Sequence, residues 1–347
     1  MTSISSYALA ASPRLIIAQA QAALSKAQVE LSSGGKLADI GLGLGSTTGS
    51  YVALNAQQSR LQAIQSSNAT TAATLTASTT ALDALRTTAS SFLTSLTQAS
   101  SSGTAAGTLV TTAASNLDTL TSTLNTTVSG QAIFAGINSA VQPMTAYTTG
   151  SAPKAAVDAS FSTAFGTTPD SSSASTISGT DMQAYLQGAF ADLFSASKYQ
   201  GTWSSASDTV PTAQISTTET VDTSVSANSE PLRQLAEAYT MVTAFGGTNF
   251  GSAAGQAVIS AASQLVSSAV TGLTSAQAGI GLSQSAVSAA NDRMTTQVNY
   301  LSTQSSAMVD VDVSTLSTQI SGLQTQIQAS YEVTSQLQQL SLVDYLK

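Results

Sequence analysis

The chain has 347 residues and a net charge of −8, and only 8% of its residues are charged, so Ser, Thr, Gln and Asn must cover much of its surface. Ten basic residues against eighteen acidic ones, with no cluster of Lys or Arg, argue against a nucleic-acid partner. Because the chain lacks both Cys and His, thiolate, disulfide and imidazole sites are excluded, and we expect no enzyme, no metal and no cofactor.

The N-terminal segment MTSISSYALAASPRLIIAQA lacks the basic start of a signal peptide, since Arg14 is its first charge. We therefore expect export, if it occurs, to proceed without a cleaved signal peptide. The longest uncharged stretch, 238–291, is interrupted by polar residues every few positions, so we expect no membrane span.

The first predicted helix shows the spacing of a coiled coil. Its apolar residues follow alternating steps of three and four: Ile17, Ala20, Leu24, Ala27 and Leu31. Ser32 to Gly35 then end the helix.

The run GLGLGSTTG at 41–49 lacks the Lys and the preceding strand of a phosphate-binding loop, so it is interpreted as a flexible joint between two helices.

A helix of about 47–100 is predicted by a seven-residue repeat. The repeat positions are Leu54, Leu61, Asn68, Leu75 and Leu82. Further helices are expected at about 106–129, 230–245 and 252–307, with glycines near 246–251 separating the last two. These segments form a predicted helical rod domain of residues 41–140 plus 229–308.

Residues 141–228 differ in character, because they hold most of the prolines and the single Trp203. Heptads are absent, and the run TVPTAQISTTETVDTSVSA alternates apolar with polar residues as strands do. We predict a small outward insert with β structure. An enzyme, a carboxylate-dependent hydrolase in this insert, is an alternative to a structural role. The carboxylates that it would need are scattered along the insert: Asp158, Asp170, Asp181, Asp192 and Asp208.

The C-terminal part repeats the coiled-coil spacing of the first helix. The apolar positions are Val309, Val313, Leu316, Ile320, Leu323 and Ile327, and one helix of about 309–345 is predicted. Asp310 and Asp312 suit the start of that helix, where negative charge is favourable. The chain closes with SQLQQLSLVDYLK, which is unusually rich in apolar residues for a chain end. We therefore expect these apolar side chains to pack against another helix.

The two terminal stripes, 1–40 plus 309–347, form a predicted terminal coiled-coil domain. Such stripes join subunits as readily as they complete one monomer. The candidate subunit-interface residues are Ile17, Leu24, Leu31, Leu316, Ile320, Leu323, Ile327, Leu337, Leu340, Leu342, Tyr345 and Leu346. The predicted fold class is mainly α, a long helical rod or bundle with terminal coiled-coil helices and a small β-containing inserted domain.

Four segments carry a resemblance to a known family. They are ALSKAQVELSSGGKLADIG, SGQAIFAGINSAVQPM, EPLRQLAEAYTMVTAFG and LQTQIQASYEVTSQLQQLSLVDYL. Together they resemble the bacterial flagellin superfamily, and the closing LSLVDYL is most similar to its hook-associated proteins, which join hook and filament. One departure follows LSSGGK, where most members carry Asp-Asp-Pro and this chain has LADIGLGLGSTTGS.

The resemblance implies a structural protein of the extracellular bacterial flagellum. It implies that the two terminal helices pair and line the inner tube of the flagellar axial structure. It also implies that the subunits form a homo-oligomeric ring. The implied partners are hook-associated protein 1, flagellin and a cytoplasmic export chaperone that holds the C-terminus during type III export. Filament-forming flagellin is the alternative within the same family.

Overall fold

The computed structural model describes residues 6–102, 106–247 and 250–345, with side chains placed for 14–100, 107–247 and 250–336. The chain is 74% helical, which confirms the predicted mainly α fold with long helices and few, small strands. The helices are α1 (Ser6–Ser32), α2 (Ile40–Leu44), α3 (Thr48–Ser102), α4 (Ala106–Leu124), α5 (Ala152–Phe165), α6 (Gly179–Tyr185), α7 (Ala196–Tyr199), α8 (Glu230–Phe245), α9 (Ser252–Val309) and α10 (Val313–Tyr345).

The described strands form two antiparallel hairpins. Strands β1 (Thr127–Val128) and β2 (Gln131–Ala132) turn through Ser129 and Gly130, which both have positive φ. Strands β3 (Thr212–Gln214) and β4 (Thr220–Asp222) pair with Ala213 opposite Val221. The second hairpin lies in the segment whose alternation predicted strands.

The remainder of the insert is more helical than its sequence suggested. Besides α5, α6 and α7, it contains a 3₁₀ segment, Ser172–Thr176, and a π-helical segment, Leu186–Phe190. Helix α5 has clear local causes: the Ser151 hydroxyl accepts from the backbone N–H of Lys154, Pro153 occupies the first turn, and Gly166 ends the helix with φ of 69°.

The boundary between α9 and α10 corrects one prediction. Val309 is the last residue of α9 and does not belong to the C-terminal helix, which begins at Val313. Asp312 lies at the start of α10 as expected, where its carboxylate accepts from the Ser314 backbone N–H (2.8 Å) and the Thr315 hydroxyl (3.1 Å). These two bonds, the Ser314 bond first, lower the pKa of Asp312.

Two compact units make up the chain. The first consists of 1–62 and 295–347, and the second of 63–294. The division falls within α3 and α9, so each of these helices contributes to both units. The three-part division into terminal, rod and insert domains stays a prediction.

In the second unit, α8 is the central helix. Every residue from Leu235 to Val242 is buried, and α8 packs against α4. At its end, Phe245 meets a cluster of rings, most of which come from the insert. The cluster comprises Phe161, Phe165, Tyr185, Phe190, Phe194 and Phe250, with ring centroids of neighbours 4.8–6.0 Å apart.

Helix α9 is long and apolar enough to cross a membrane by length and composition, with a mean hydropathy of 1.3 in its most apolar 18 residues. Its buried residues, however, recur at steps of three and four along one face: Ala254, Val258, Ala262, Val266, Ala269 and Leu273. The exposed positions between them hold Gln, Ser and Thr: Gln256, Ser260, Gln264, Ser267, Ser268 and Thr271. Such a stripe is typical of a helix packed against protein, and the absence of a membrane partner stays a prediction.

Candidate assembly interface

Helices α1 and α10 pack against each other in the first unit. They run antiparallel, because Gly35, just after α1, meets Val311, just before α10, while Gln21 within α1 meets Tyr331 within α10. The Gln21 side-chain amide donates to the Tyr331 hydroxyl over 2.9 Å. The two terminal parts of the chain are therefore brought together, as the matching stripes suggested.

On α1, the smallest residues of the stripe are buried best. Ala20 and Ala27 are buried and Ile17 lies at the edge of burial, whereas Leu24 is half-buried and Leu31 is 36% exposed. Alanine lets a second helix approach closely, so the contact is centred on the alanines. The interface residues predicted from the sequence included Leu24 and Leu31 but not the two alanines, because the leucines are larger.

On α10, burial decreases along the helix. Leu316 is 1% exposed, while Ile320, Leu323 and Ile327 are half-buried. The predicted positions Leu337, Leu340, Leu342 and Tyr345 lie in a stretch whose side chains are outside the described part, and Leu346 lies outside the described residues altogether. The role of all these residues as a subunit interface stays a prediction.

The α1–α10 pair leaves apolar side chains uncovered. Leu15 is 62% exposed, and other large apolar residues of the two helices are exposed as well: Ile16, Val29, Val313, Tyr331 and Val333. A groove between the helices is lined by Arg14, Ile17, Ala18, Gln21, Tyr331, Thr334 and Ser335. Exposed apolar surface of this kind is typical of a face that binds another protein.

The Gly-rich joint after α1 is ordered by several local bonds. Asp39 accepts from the backbone N–H of Leu42 (2.9 Å) and thereby begins α2. A 3₁₀ turn, Gly45–Thr47, then leads into α3. The run predicted as a flexible joint does connect two helices, and it contains a short helix of its own.

Three acidic residues of the insert have partners within the insert. Asp158 lies 3.0 Å from Lys154, Asp192 pairs with Lys198, and Asp208 accepts from the Asn228 amide at 2.8 Å. Within the described residues, no group of three or more acidic side chains is placed to hold a metal ion. That the chain is not an enzyme stays a prediction.

Comparison with known families addresses both ends of the chain. A family model described as the bacterial flagellin N-terminal helical region matches residues 4–139, and one described as the bacterial flagellin C-terminal helical region matches 263–346. The two ranges together cover more than half of the sequence. The chain belongs to the flagellin family.

Flagellin-family proteins are structural proteins that are exported to the extracellular flagellum and assemble into its polymer. The N-terminal match includes all of α1, α3 and α4, and the C-terminal match includes all of α10 and the later part of α9. The insert lies between the matched ranges. No individual curated protein matched the chain.

Proposed function

We propose that this flagellin-family chain is a hook–filament junction protein, most similar to flagellar hook-associated protein 3. In this proposal a ring of subunits joins hook-associated protein 1 on one side to flagellin on the other. The observation that carries the assembly part is the antiparallel α1–α10 pair, which leaves Leu15, Ile16 and Val333 exposed. The observation that favours the junction is the closing LSLVDYL, which resembles junction proteins.

The uncovered face gives the assembly a physical basis. Apolar side chains lose free energy when they leave water, by about 25 cal/mol for each Å² of apolar surface buried. The exposed residues on α1 and α10 would be covered in a ring by the same helices of neighbouring subunits. Before export, a cytoplasmic chaperone that covers the C-terminal part of α10 would keep this surface from associating too early.

Filament-forming flagellin is the second candidate. The same two family regions are present in filament proteins, and the α1–α10 pair would serve a long polymer as well as a short ring. The two functions differ in where the chain is found, in a narrow zone between hook and filament or along the whole filament.

Antibody labelling of flagella in the electron microscope separates these functions. A junction protein should be labelled only where the hook ends, and cells without the chain should keep their hooks while releasing flagellin into the medium. Labelling along the entire filament, with no filament protein in the medium of the deletion strain, would identify the flagellin. Attached filaments and normal swimming without the chain would contradict both.

A further inference from the structure

Two parts of the chain cross at the base of the α1–α10 pair. We call residues 33–39 and 309–312 the chain crossing. The Leu37 backbone N–H donates to the Val309 carbonyl (2.9 Å), and the Val311 N–H donates to the Gly35 carbonyl (2.6 Å). Lys36 and Asp310 face each other between these bonds, as residues of antiparallel strands do.

The crossing depends on Gly35 for a steric reason. Gly35 is buried and has a φ of +83°, and a Cβ at this position would lie 2.7 Å from the Val311 carbonyl oxygen. No other residue type adopts this backbone conformation readily. Any side chain at this position would push the two parts of the crossing apart.

Glu30, in the last turn of α1, forms hydrogen bonds with the 33–39 part of the chain crossing. It is only 6% exposed, although it carries a charge. Its carboxylate accepts from the Ala38 backbone N–H (3.2 Å), and its own carbonyl accepts from the Gly35 N–H (2.9 Å) and the Ser33 hydroxyl (2.9 Å). Lys26 lies 3.8 Å away but its side chain is mostly in water, where an ion pair contributes little.

The stripes on α1 and α10 do not determine their register well. The stripe on α10 continues beyond Ile327 through Ser330 and Thr334, which are small and polar. A shift by one heptad would place similar residues opposite each other. A fixed point outside the helices is therefore needed to select one register, and the crossing joins the end of α1 to the start of α10.

We propose that Glu30 is the positioning residue of this joint: by holding Ala38 it fixes the chain crossing, and the crossing sets the register in which α10 pairs with α1. The consequence for assembly rests on the proposed function, whereas the consequence for register concerns the monomer alone.

Amide hydrogen exchange on the full-length monomer tests the first step of the proposal, that Glu30 fixes the chain crossing. In Glu30→Ala, the amides of Ala38, Leu37 and Val311 should exchange at least about tenfold faster, because the buried acceptor is lost. Glu30→Gln keeps an acceptor oxygen and should restore slow exchange, and Lys26→Ala should leave it unchanged. Faster exchange at Ala38 alone would overturn the proposal, as would a Glu30→Gln variant that behaves like Glu30→Ala.

A cross-link reports the register directly. Because the chain has no cysteine, the pair Gln21→Cys and Tyr331→Cys can be joined by a short bismaleimide, and Gln21→Cys with Gln324→Cys samples a shift of one heptad. Glu30→Ala, or Gly35→Ala as a second way to break the crossing, should reduce the yield of the first pair and raise that of the second. An unchanged ratio in both variants would overturn the proposal.

Attachment of filaments to hooks provides the third test. If Glu30→Ala shifts the register, the exported variant should fail to hold filaments on hooks while Glu30→Gln holds them. Normal attachment despite a shifted register would overturn the link between register and assembly. If the unaltered chain itself proves unnecessary for attachment, the proposed function fails, and the exchange and cross-link results still decide the role of Glu30.

Discussion

Glu237 is a buried carboxylic acid in the second unit. It lies in the middle of α8 and is only 8% exposed. Burial raises the pKa of its carboxyl from the ordinary 4.5 to about 7, and the charge of Arg233, one turn earlier, lowers it only in part. Arg233 itself donates to the Phe194 carbonyl (2.9 Å), so its guanidinium is engaged with the insert.

The raised pKa of Glu237 predicts a loss of stability as pH rises. Between about pH 4.5 and 7 the folded chain binds more protons than the unfolded chain, so the free energy of unfolding falls across this window and stays low above it. The loss amounts to about 3 kcal/mol at most. Glu237→Gln should therefore raise the melting temperature at pH 8 and leave it nearly unchanged at pH 4.5.

Calorimetry of both proteins across pH 4–8 measures this effect. Asp118→Asn on α4, where the carboxylate is exposed, is the matched control, and we expect it to change stability by no more than about 0.5 kcal/mol. Equal pH profiles for Glu237→Gln and the unaltered chain would show that Glu237 is ionised in the folded state at little cost.

At the scale of elements, the insert is held to α8 and the residues just after it by aromatic rings. Phe161 on α5 stacks on Phe245 at the end of α8, with centroids 5.2 Å apart, and also meets Phe250 and Tyr185. A second attachment lies at the β3–β4 hairpin, where the buried Asn68 amide donates to the Ile215 carbonyl (2.9 Å). Removing residues 150–225 would expose Phe245 and Phe250, so we do not expect the insert to be dispensable for folding.

We predict that Phe161→Ala lowers the stability of the second unit by about 3–5 kcal/mol, because it opens a cavity at the centre of the ring cluster. Phe165→Ala on the same helix is the control, since Phe165 is only half-buried and should cost distinctly less. Thermal unfolding followed by circular dichroism measures both. Similar melting temperatures for the two variants would mean that the cluster does not anchor the insert.

The elements that sequence could predict are those with a long repeat. The heptads from Leu54 to Leu82 predicted α3 to within two residues at each end, and Gly246 correctly ended α8. Val309 was assigned to the wrong helix because it continues the stripe of α10, although the backbone turns after it. A repeat indicates which side chains share a face, but it does not show where the chain leaves the helix.

The helices of the insert were missed for a different reason. They are short and packed around rings, so their burial follows the cluster and not a repeat. Ser151, Pro153 and Gly166 were local signals for α5 that could have been used. For the candidate interface, sequence identified the two stripes but not the burial of Glu30, because its bonds depend on how the chain turns back between Ser33 and Ala38.

At the scale of the whole molecule, the two compact units suit different tasks. The second unit, 63–294, contains the larger buried core with α8 at its centre and the ring cluster. The first unit, 1–62 with 295–347, presents the α1–α10 pair with its exposed apolar face. We infer that changes on α10 should impair assembly while the second unit stays folded.

The central claim is that the α1–α10 pair carries subunit assembly, and the double variant Leu323→Asp with Ile327→Asp tests it. Both side chains are half-buried, and two charges placed in a desolvated contact should cost several kcal/mol. Gln324→Asp with Gln328→Asp adds the same charge at exposed neighbouring positions and serves as control.

The deciding measurement is the fraction of cells with filaments attached to hooks, counted by electron microscopy in strains that export equal amounts of each variant. Limited proteolysis establishes separately that the second unit of the secreted double variant is folded. We predict that filaments detach in the Leu323/Ile327 variant and remain attached in the Gln324/Gln328 control. Normal attachment with the Leu323/Ile327 variant, or equal detachment with both, would contradict the claim that the α1–α10 pair carries subunit assembly.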